Sequence, residues 1–397
     1  MFERLLGGSR QSRFAKLTIR ELAERGFTQP LRFDEPSFSL RRQDGSKHFL
    51  ANIYAEWLRE KDDANRYALF DSLYANLIEG EQSLDWESTA NSLLPVVRNR
   101  LDIGSYWLNP HMEAKRQDWE GVYEPLVDPA AVYVAIDTPA GINLLANAAL
   151  SELGVTFEEA FARAMSNLGR LSPPAFVRMP DRFWITDDGD LYDASRLLRP
   201  DWGAALPVTG RLVAIPLARN GVVAADLDDP EAVAAMAIYV ETEAAENPRR
   251  ISRCAMVRRG PGWTAAPTGM VPLDRLRQLQ NLDHYASQQS LLNGYFEKTG
   301  RDVFVATMEG VSAEDGGIHT YATWSDVPTL LPHAEYIALN LDMKQVAIRR
   351  FEDVQAVAGE MMTREDFDPP RWFVPSGISS KAFERLRRDY PAAPFGR

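Results

Sequence analysis

The stretch RLVAIPLARNGVVAAD, residues 211–226, places two short apolar runs on either side of an Asn-Gly pair. Such a pattern predicts a β-hairpin, because Asn and Gly tolerate the positive backbone angles of a tight two-residue turn. We therefore expect Asn220 and Gly221 to form the turn between two buried strands. Asp229 and Pro230 follow where a helix prefers its N-cap and its first residue, so a helix should come next.

The same order of strand, strand and helix is predicted at two other places. AVYVAID (131–137) and INLL (142–145) precede a short helix that ends at Gly154, and EYIALNL (335–341) and QVAIRRF (345–351) precede another helix. Residue identity among the three stretches is too low to indicate a sequence repeat. The pattern predicts an α+β fold, built of antiparallel-rich sheet units of strand, strand and helix with the helices packed on one face.

Two further helices have recognisable signals in the sequence. Thr156 and Glu159 have the spacing of a capping box, in which each side chain accepts a hydrogen bond from the other residue's backbone N–H. The apolar pattern of Leu276, Leu279 and Leu282 predicts a long helix that ends near Thr299.

A segment rich in Gly and Pro, RRGPGWTAAPTGMVP (258–272), predicts a domain boundary near residue 270. We expect an amino-terminal α+β domain over residues 1–268, with a helical and hairpin part over 1–110 and a core over 111–268. A carboxy-terminal α+β extension over 271–397 should begin with the long helix.

The composition indicates an acidic globular protein. The chain has 397 residues, a formal net charge of −12 at pH 7 and 45% hydrophobic residues. Its mean field repels phosphate backbones and anionic lipids, so we expect no nucleic-acid or membrane partner. The first residues contain no apolar run typical of a secretion signal, and the single cysteine, Cys254, excludes an internal disulfide bond. These features predict a cytoplasmic protein in which Cys254 is a buried, unreactive thiol.

Motifs for metals and common cofactors are missing from the sequence. None of the histidines lies in an HxxxH or HExxH pattern. The five histidines are His48, His111, His284, His319 and His333. We interpret them as surface residues and predict no metal and no cofactor. The letters GPGWTA at 260–265 match GxGxxA by chance, since Pro and Trp crowd the turn, and no GxSxG nucleophile motif occurs.

The candidate ligand-binding residues are polar side chains near the ends of predicted strands and helices. They are Arg98, Asp137, Asn167, Asp193 and Ser195. If they meet in one cleft, a carboxylate beside an arginine would bind or polarise a ligand. Structural roles are the competing interpretation. Asp193 and Ser195 would then cap a helix, and Asn167 would satisfy a loop carbonyl group.

The carboxy-terminal extension is rich in aromatic residues. Trp324, Trp372 and Phe373 lie in predicted strands or loops. Most aromatic residues belong to hydrophobic cores, but Trp is also enriched at protein interfaces. We therefore treat these three residues as candidates for a partner surface.

Four segments of the sequence, in their order and approximate spacing, resemble the uncharacterised bacterial YtpQ-like family, a domain of unknown function. They are PVVR, VYVAIDTPAGINLLANAALSELGVTFEEAFARAMSNL, DGDLYDASRLL and LVAIPLARNGVVAADL. The resemblance covers roughly residues 10–268 and implies one cytoplasmic α+β domain. Family members usually end near the segment rich in Gly and Pro, whereas this chain continues over 271–397. The resemblance implies no particular reaction.

Two classes of function follow from these observations. The first is a cytoplasmic binding or adaptor protein that recognises a protein partner or a small ligand without metal. Its acidic surface would suit a basic partner. The second is a small-molecule hydrolase or transferase that uses Asp193 and Arg98 in a pocket.

Overall fold

The protein has an α+β fold. The computed structural model describes residues 9–35, 37–43, 47–79, 85–109, 115–138, 141–247, 249–341 and 345–395. The helices are α1 Arg10–Glu24, α2 Ala51–Arg59, α3 Asp63–Glu79, α4 Trp86–Thr89, α5 Arg100–Gly104, α6 Asn147–Leu153, α7 Phe157–Leu168, α8 Asp193–Arg196, α9 Pro230–Glu246, α10 Val271–Thr299, α11 Phe351–Ala358 and α12 Ser380–Asp389. The strands are β1 Arg32–Asp34, β2 Ser39–Arg41, β3 Lys47–Phe49, β4 Leu93–Asn99, β5 Glu124–Val127, β6 Ala130–Thr138, β7 Gly141–Leu144, β8 Phe176–Arg178, β9 Trp184–Thr186, β10 Leu212–Ala218, β11 Gly221–Asp226, β12 Met256–Arg259, β13 Gly262–Ala265, β14 Phe304–Val305, β15 Glu309–Ser312, β16 Ile318–Trp324, β17 Thr329–Pro332, β18 Tyr336–Leu341, β19 Gln345–Arg350, β20 Thr363–Glu365 and β21 Arg371–Val374.

The sheets are mostly antiparallel, which confirms the predicted fold class. Parallel pairing joins β14 to β17 and β16 to β18. The three predicted units of strand, strand and helix are present as β6, β7 and α6, as β10, β11 and α9, and as β18, β19 and α11. Among the described residues, no helix is both long enough and apolar enough to cross a membrane.

The chain forms two compact units, and each is assembled from separate stretches of sequence. The first unit comprises residues 1–96, 133–171 and 246–250, and the second comprises residues 97–132, 172–245 and 251–397.

The first unit contains a helical part with its own hydrophobic core. Helices α1, α2 and α3 surround buried aromatic residues, among them Phe14 and Phe70, beside the sheet β1-β2-β3. Helix α6 ends at Gly154, whose φ of 68° is the left-handed conformation that glycine adopts without strain. Thr156 and Glu159 form the predicted capping box at the start of α7, with N–H to oxygen distances of 3.2 and 2.8 Å.

The opening hairpin belongs to a six-stranded sheet of the second unit, with the strand order β13-β12-β10-β11-β9-β8. Val213 and Ile215 pack on one face of this sheet against Met236 of α9. Ala214 points to the opposite face, where it packs near Leu197, just after α8. This alternation is the two-residue period of a strand that is buried on both faces.

The hairpin forms as predicted, but its turn lies one residue earlier. Ala218 pairs with Gly221, so that Arg219 and Asn220 are the turn residues, and neither Asn220 nor Gly221 has a positive φ. The register also shifts by one residue between Ile215 and Ala218, as in a β-bulge.

The segment that predicts a domain boundary is part of this same sheet. Strands β12 and β13 pair through the turn at Gly260, and Leu273 and Leu276 of α10 share the core of Val213 and Ile215. Gly260 and Pro261 therefore form a hairpin turn within the sheet. The two observed units differ accordingly from a division of the chain near residue 270.

The carboxy-terminal part of the second unit is built around α10 and two four-stranded sheets. The sheet orders are β15-β16-β18-β19 and β14-β17-β21-β20. Helices α11 and α12 pack with these sheets in a core that includes Trp324, Phe351 and Leu386. Helix α10 ends at Gly300, whose φ of 70° again needs the freedom of glycine.

Candidate functional site

The polar residues selected from the sequence do not form one cluster in one unit. The first unit contains Asp137 and Asn167, and the second unit contains Arg98, Asp193 and Ser195. Arg98 is only 5% exposed, and its Nη1 donates to the carbonyl oxygen of Val97 at 2.8 Å.

Asn167 has the structural role that the sequence left open. Its buried Nδ2 donates to the carbonyl oxygens of Ala90 and Leu93, each at 2.9 Å. Asp137 is half-buried in β6, opposite Ile142 of β7. Asn167 therefore stabilises the local fold of the first unit.

Asp193 does not cap α8. The N-cap position is Tyr192, and Asp193 is the first residue of the helix itself. The Asp193 carboxylate turns back toward the preceding loop, where its Oδ1 accepts from the backbone N–H of Asp188 at 3.4 Å. The prediction that Asp193 and Ser195 cap this helix is therefore wrong, because the helix starts too early for either side chain to reach its free N–H groups.

Asp193 lies in a buried polar network around Arg196. The two terminal nitrogens of Arg196 donate to the two carboxylate oxygens of Asp190, each at 2.8 Å. Three atoms of the network are buried without a hydrogen-bond partner among the described residues, namely Asp188 Oδ2, Asp193 Oδ2 and Ser195 Oγ. Burial, helped by the negative charge of Asp188, raises the pKa of Asp193 to about 6.

We expect Asp193→Asn to raise the free energy of unfolding at pH 7 by about 1–3 kcal/mol, because a neutral amide avoids the cost of a buried carboxylate. The new Nδ2 would also be able to donate to Asp188. The folded-state pKa of Asp193 lies above its ordinary value of 3.8. The contribution of protonated Asp193 to the free energy of unfolding is therefore fully present below a pH of about 4, and it is lost as pH rises through about 6. Urea denaturation across this range should show a flatter pH dependence for the variant, and an unchanged slope would contradict the assignment.

A cavity of about 440 Å³ lies elsewhere in the second unit. Its walls come from stretches that are far apart in sequence. The lining residues are Arg100, Leu101, Val127, Asp128, Pro129, Cys254, Ala255, Ala265, Arg277, Gln280, Asn281, His284, Tyr285, Asp368, Pro369 and Pro370. This volume is within the range of small-molecule binding sites.

The solvent-facing rim of the cavity is an arginine held between two carboxylates. Arg100 donates to Asp128 Oδ1 from Nε at 3.1 Å and from Nη2 at 2.6 Å, and its Nη1 donates to Asp368 Oδ2. The side chains of Asp128 and Asp368 are 69% and 53% exposed, whereas that of Arg100 is 22% exposed. Although burial disfavours the charged guanidinium, the two carboxylates raise the pKa of Arg100 above its ordinary value.

His284 lies on the buried side of the cavity in a hydrogen-bond network that determines its tautomer. Asn99 Oδ1 accepts from the backbone N–H of Leu101, and Gln280 Oε1 accepts from that of Arg253. These backbone donors orient both amides, so that their nitrogens donate to His284 Nε2, at 2.9 Å from Asn99 and 2.7 Å from Gln280. Since Nε2 accepts two hydrogen bonds, the imidazole is neutral and carries its proton on Nδ1.

Other polar groups on the buried side also have partners. The Tyr285 hydroxyl donates to the carbonyl oxygen of Pro370 at 2.9 Å and accepts from the backbone N–H of His333 at 3.2 Å. Burial raises the pKa of the Cys254 thiol to about 11, so it is protonated at neutral pH and is a weak nucleophile. His284, Tyr285 and Cys254 form the buried side of the cavity, which we call its floor. The floor is therefore neutral, and its His284 and Tyr285 side chains are already hydrogen-bonded.

None of the five polar residues selected from the sequence lines this cavity. The interpretation of His284 as a surface residue is wrong, because the residue is only 8% exposed. Its packing against Asn99 joins residues 185 positions apart, which no local pattern indicates. The two rim carboxylates share one local sequence feature. Each of them precedes a proline, as Asp128-Pro129 and Asp368-Pro369.

The aromatic residues selected as a partner surface are mostly buried. Trp324 is fully buried, Trp372 is 8% exposed, and both belong to the carboxy-terminal core. The Trp324 indole N–H donates to the carbonyl oxygen of Ser376 at 2.8 Å. Phe373 is half-buried, and the Cζ atom of the Arg301 guanidinium lies 5.5 Å from the centroid of its ring. Trp324 and Trp372 are thus core residues rather than an exposed docking surface.

Within the described residues, which leave out His111, no group of three or more His, Cys, Asp or Glu side chains is placed to hold a metal ion. Comparisons of the chain with protein-family models, with curated proteins and with solved structures found no match. The resemblance to the YtpQ-like family therefore stays a prediction.

Proposed function

We propose that this protein is a binding protein that holds a small amphipathic molecule in the 440 Å³ cavity of its second unit. The observation that carries this proposal is the contrast between the two sides of the cavity. Its rim bears exposed charged side chains, and its floor is neutral and hydrogen-bonded within the protein. Binding sites of this kind take up apolar groups and use a few polar contacts for orientation.

The walls of the cavity suit an apolar group. Leu101, Val127, Pro129, Ala255 and Ala265 line it. The polar groups of the floor already have protein partners, so a ligand would not need to replace the hydrogen bonds of a hydrated surface there. The free energy of binding would come mainly from burial of the ligand's apolar surface.

The alternative of a hydrolase or transferase has less support. Arg98 and Asp193, its proposed catalytic residues, are buried and do not line the cavity. Within the cavity, Cys254 holds its proton and His284 Nε2 is occupied by two amide donors. Nucleophilic catalysis needs an activated nucleophile beside a free base. The groups of this cavity therefore favour binding over catalysis.

A variant that fills the cavity tests this proposal. Ala265 is an exposed residue of β13 that lines the cavity, so Ala265→Trp should occupy the ligand's space without disturbing the core. Thr264→Trp is the matched control, because neighbouring residues of a strand point to opposite faces and Thr264 does not line the cavity. Native mass spectrometry would detect a molecule that co-purifies with the protein. Saturation-transfer NMR with a fragment set of amines, acids and alcohols would detect binding in its absence.

We expect a small molecule to bind the wild-type protein and Thr264→Trp, and to be lost or weakened at least tenfold in Ala265→Trp. Equal binding to both variants would place the ligand elsewhere and overturn the proposal. Failure of every fragment to bind the wild-type protein, with no co-purifying molecule, would also overturn it.

A further inference from the structure

We propose that the ligand of this cavity carries a primary ammonium group, which binds at the rim to the carboxylate oxygens of Asp128 and Asp368 that do not contact Arg100. This inference rests on the proposed function, and it adds the chemical class of the ligand. The apolar part of such an amine would point inward along the walls, and its positive charge would stay at the solvent-facing side.

The charge balance of the rim favours a cation. One guanidinium, Arg100, is shared by two carboxylates, so the three side chains together carry a net charge of −1. Each carboxylate gives one oxygen to Arg100, Oδ1 of Asp128 and Oδ2 of Asp368. In the described part of the chain, their other oxygens accept no hydrogen bond. An ammonium group has three N–H donors and is therefore matched to these open acceptors.

An anionic ligand would meet arginines that are already neutralised. Arg100 has two carboxylate partners. Arg277, the other cationic residue of the lining, is paired with Asp274 and also donates to the carbonyl oxygen of Ala266 at 3.3 Å. A carboxylate or phosphate would have to displace one of these partners, whereas an amine would not. The net charge of −12 also draws cations toward the protein.

The closed hydrogen bonding of the floor limits where the charge of the ligand can lie. His284 Nε2 and the Tyr285 hydroxyl are both engaged with protein groups, and Cys254 is a neutral thiol. A charged group placed on that side would lose its hydration without gaining an ionic partner, which is unfavourable. The rim is the only part of the lining described here that offers open carboxylate oxygens to a cation.

Three probes of equal length test the charge preference on the wild-type protein. Isothermal titration calorimetry would compare hexylammonium, hexanoate and 1-hexanol. We expect hexylammonium to bind at least tenfold more tightly than hexanoate or 1-hexanol, and its affinity to fall as salt concentration rises because the rim is exposed. This comparison needs no variant, so it is decisive even if a substitution disturbs the fold.

Substitutions then locate the ammonium site. Asp128→Asn and Asp368→Asn should each weaken hexylammonium binding about tenfold, while 1-hexanol binding stays unchanged. Asp366→Asn is the matched control, since its side chain is 89% exposed, pairs with Arg116 and does not line the cavity. It should leave hexylammonium binding unchanged.

The outcomes separate this inference from the proposed function. If hexanoate or 1-hexanol binds as tightly as hexylammonium and Ala265→Trp blocks that binding, the ammonium inference fails and the binding proposal stands. If Asp128→Asn and Asp368→Asn both bind hexylammonium like the wild type, the rim assignment fails. If neither these probes nor any fragment binds the wild-type protein, both proposals fail.

Discussion

Arg371→Ala should lower the free energy of unfolding by about 3–5 kcal/mol, the cost of disrupting a buried charged network. Arg371 is fully buried, and burial lowers its pKa to about 10. Its Nε donates to Gln288 Oε1 at 2.6 Å, and its terminal nitrogens donate to the carbonyl oxygens of Ala306, Leu330 and Tyr285 at 2.8, 3.2 and 3.1 Å. The variant would leave a void and would remove the donors from these acceptors.

Arg371→Met distinguishes the lost hydrogen bonds from the lost volume. Both substitutions remove the guanidinium and its hydrogen bonds, but methionine keeps much of the packing, so it should destabilise the protein less than alanine does. Urea denaturation followed by far-UV circular dichroism would measure both variants. A midpoint for Arg371→Ala within error of the wild-type value would show that the network around Arg371 contributes little to stability.

Trp324→Ala should lower the free energy of unfolding by about 3–5 kcal/mol, the usual cost of removing a large aromatic side chain from a core. The residue is fully buried, and its indole N–H bonds to the Ser376 carbonyl oxygen. Trp324→Phe keeps most of the ring but leaves that carbonyl without its donor, so it should cost about 1–3 kcal/mol. Thermal or urea denaturation would measure the order of the two variants.

Phe373→Ala is the comparison for Trp324→Ala. Because Phe373 is only half-buried, its replacement should lower the free energy of unfolding less than Trp324→Ala does. If Trp324→Ala left stability unchanged and instead removed a protein partner, the residue would act at an interface after all. The burial of Trp324 argues for a role in the core.

Local features of the fold were predictable from the sequence. The capping box at Thr156 and Glu159, the αL glycine at 154 and the hairpin around Asn220 all depend on residues within a few positions of one another. Side-chain capping and turn preferences act over this range, so the sequence pattern carries the information. The hairpin turn nevertheless lies one residue earlier than predicted, at Arg219 and Asn220.

The domain division and the cavity could not be predicted in the same way. Residues 258–272 have the composition of a linker, yet β12 and β13 in this segment pair within a larger sheet. The cavity joins Asp128, Cys254, His284 and Asp368, which lie far apart in the sequence. Their meeting depends on how sheets and helices pack, and a single sequence does not display long-range packing.

The sequence left two roles open for the selected polar residues, ligand binding in a cleft and stabilisation of the local backbone. In the structure, Asn167 and Asp193 bond to backbone groups near them. Most buried polar groups are paired with a partner, and nearby backbone groups are the most abundant ones. Such residues therefore show the same sequence pattern as ligand-binding residues.

Helix α10 has 29 residues, which corresponds to a length of about 43 Å at 1.5 Å per residue. Leu273 packs with the six-stranded sheet, Tyr285 packs with the carboxy-terminal sheets, and Leu292 and Phe296 belong to a third cluster. One continuous helix thus contributes to three hydrophobic clusters. None of these clusters can unfold without disturbing the helix that the other two also contact. The second unit should consequently unfold on heating in a single cooperative transition. A ligand bound in the cavity, near His284 at the middle of α10, should slow amide hydrogen exchange throughout the second unit.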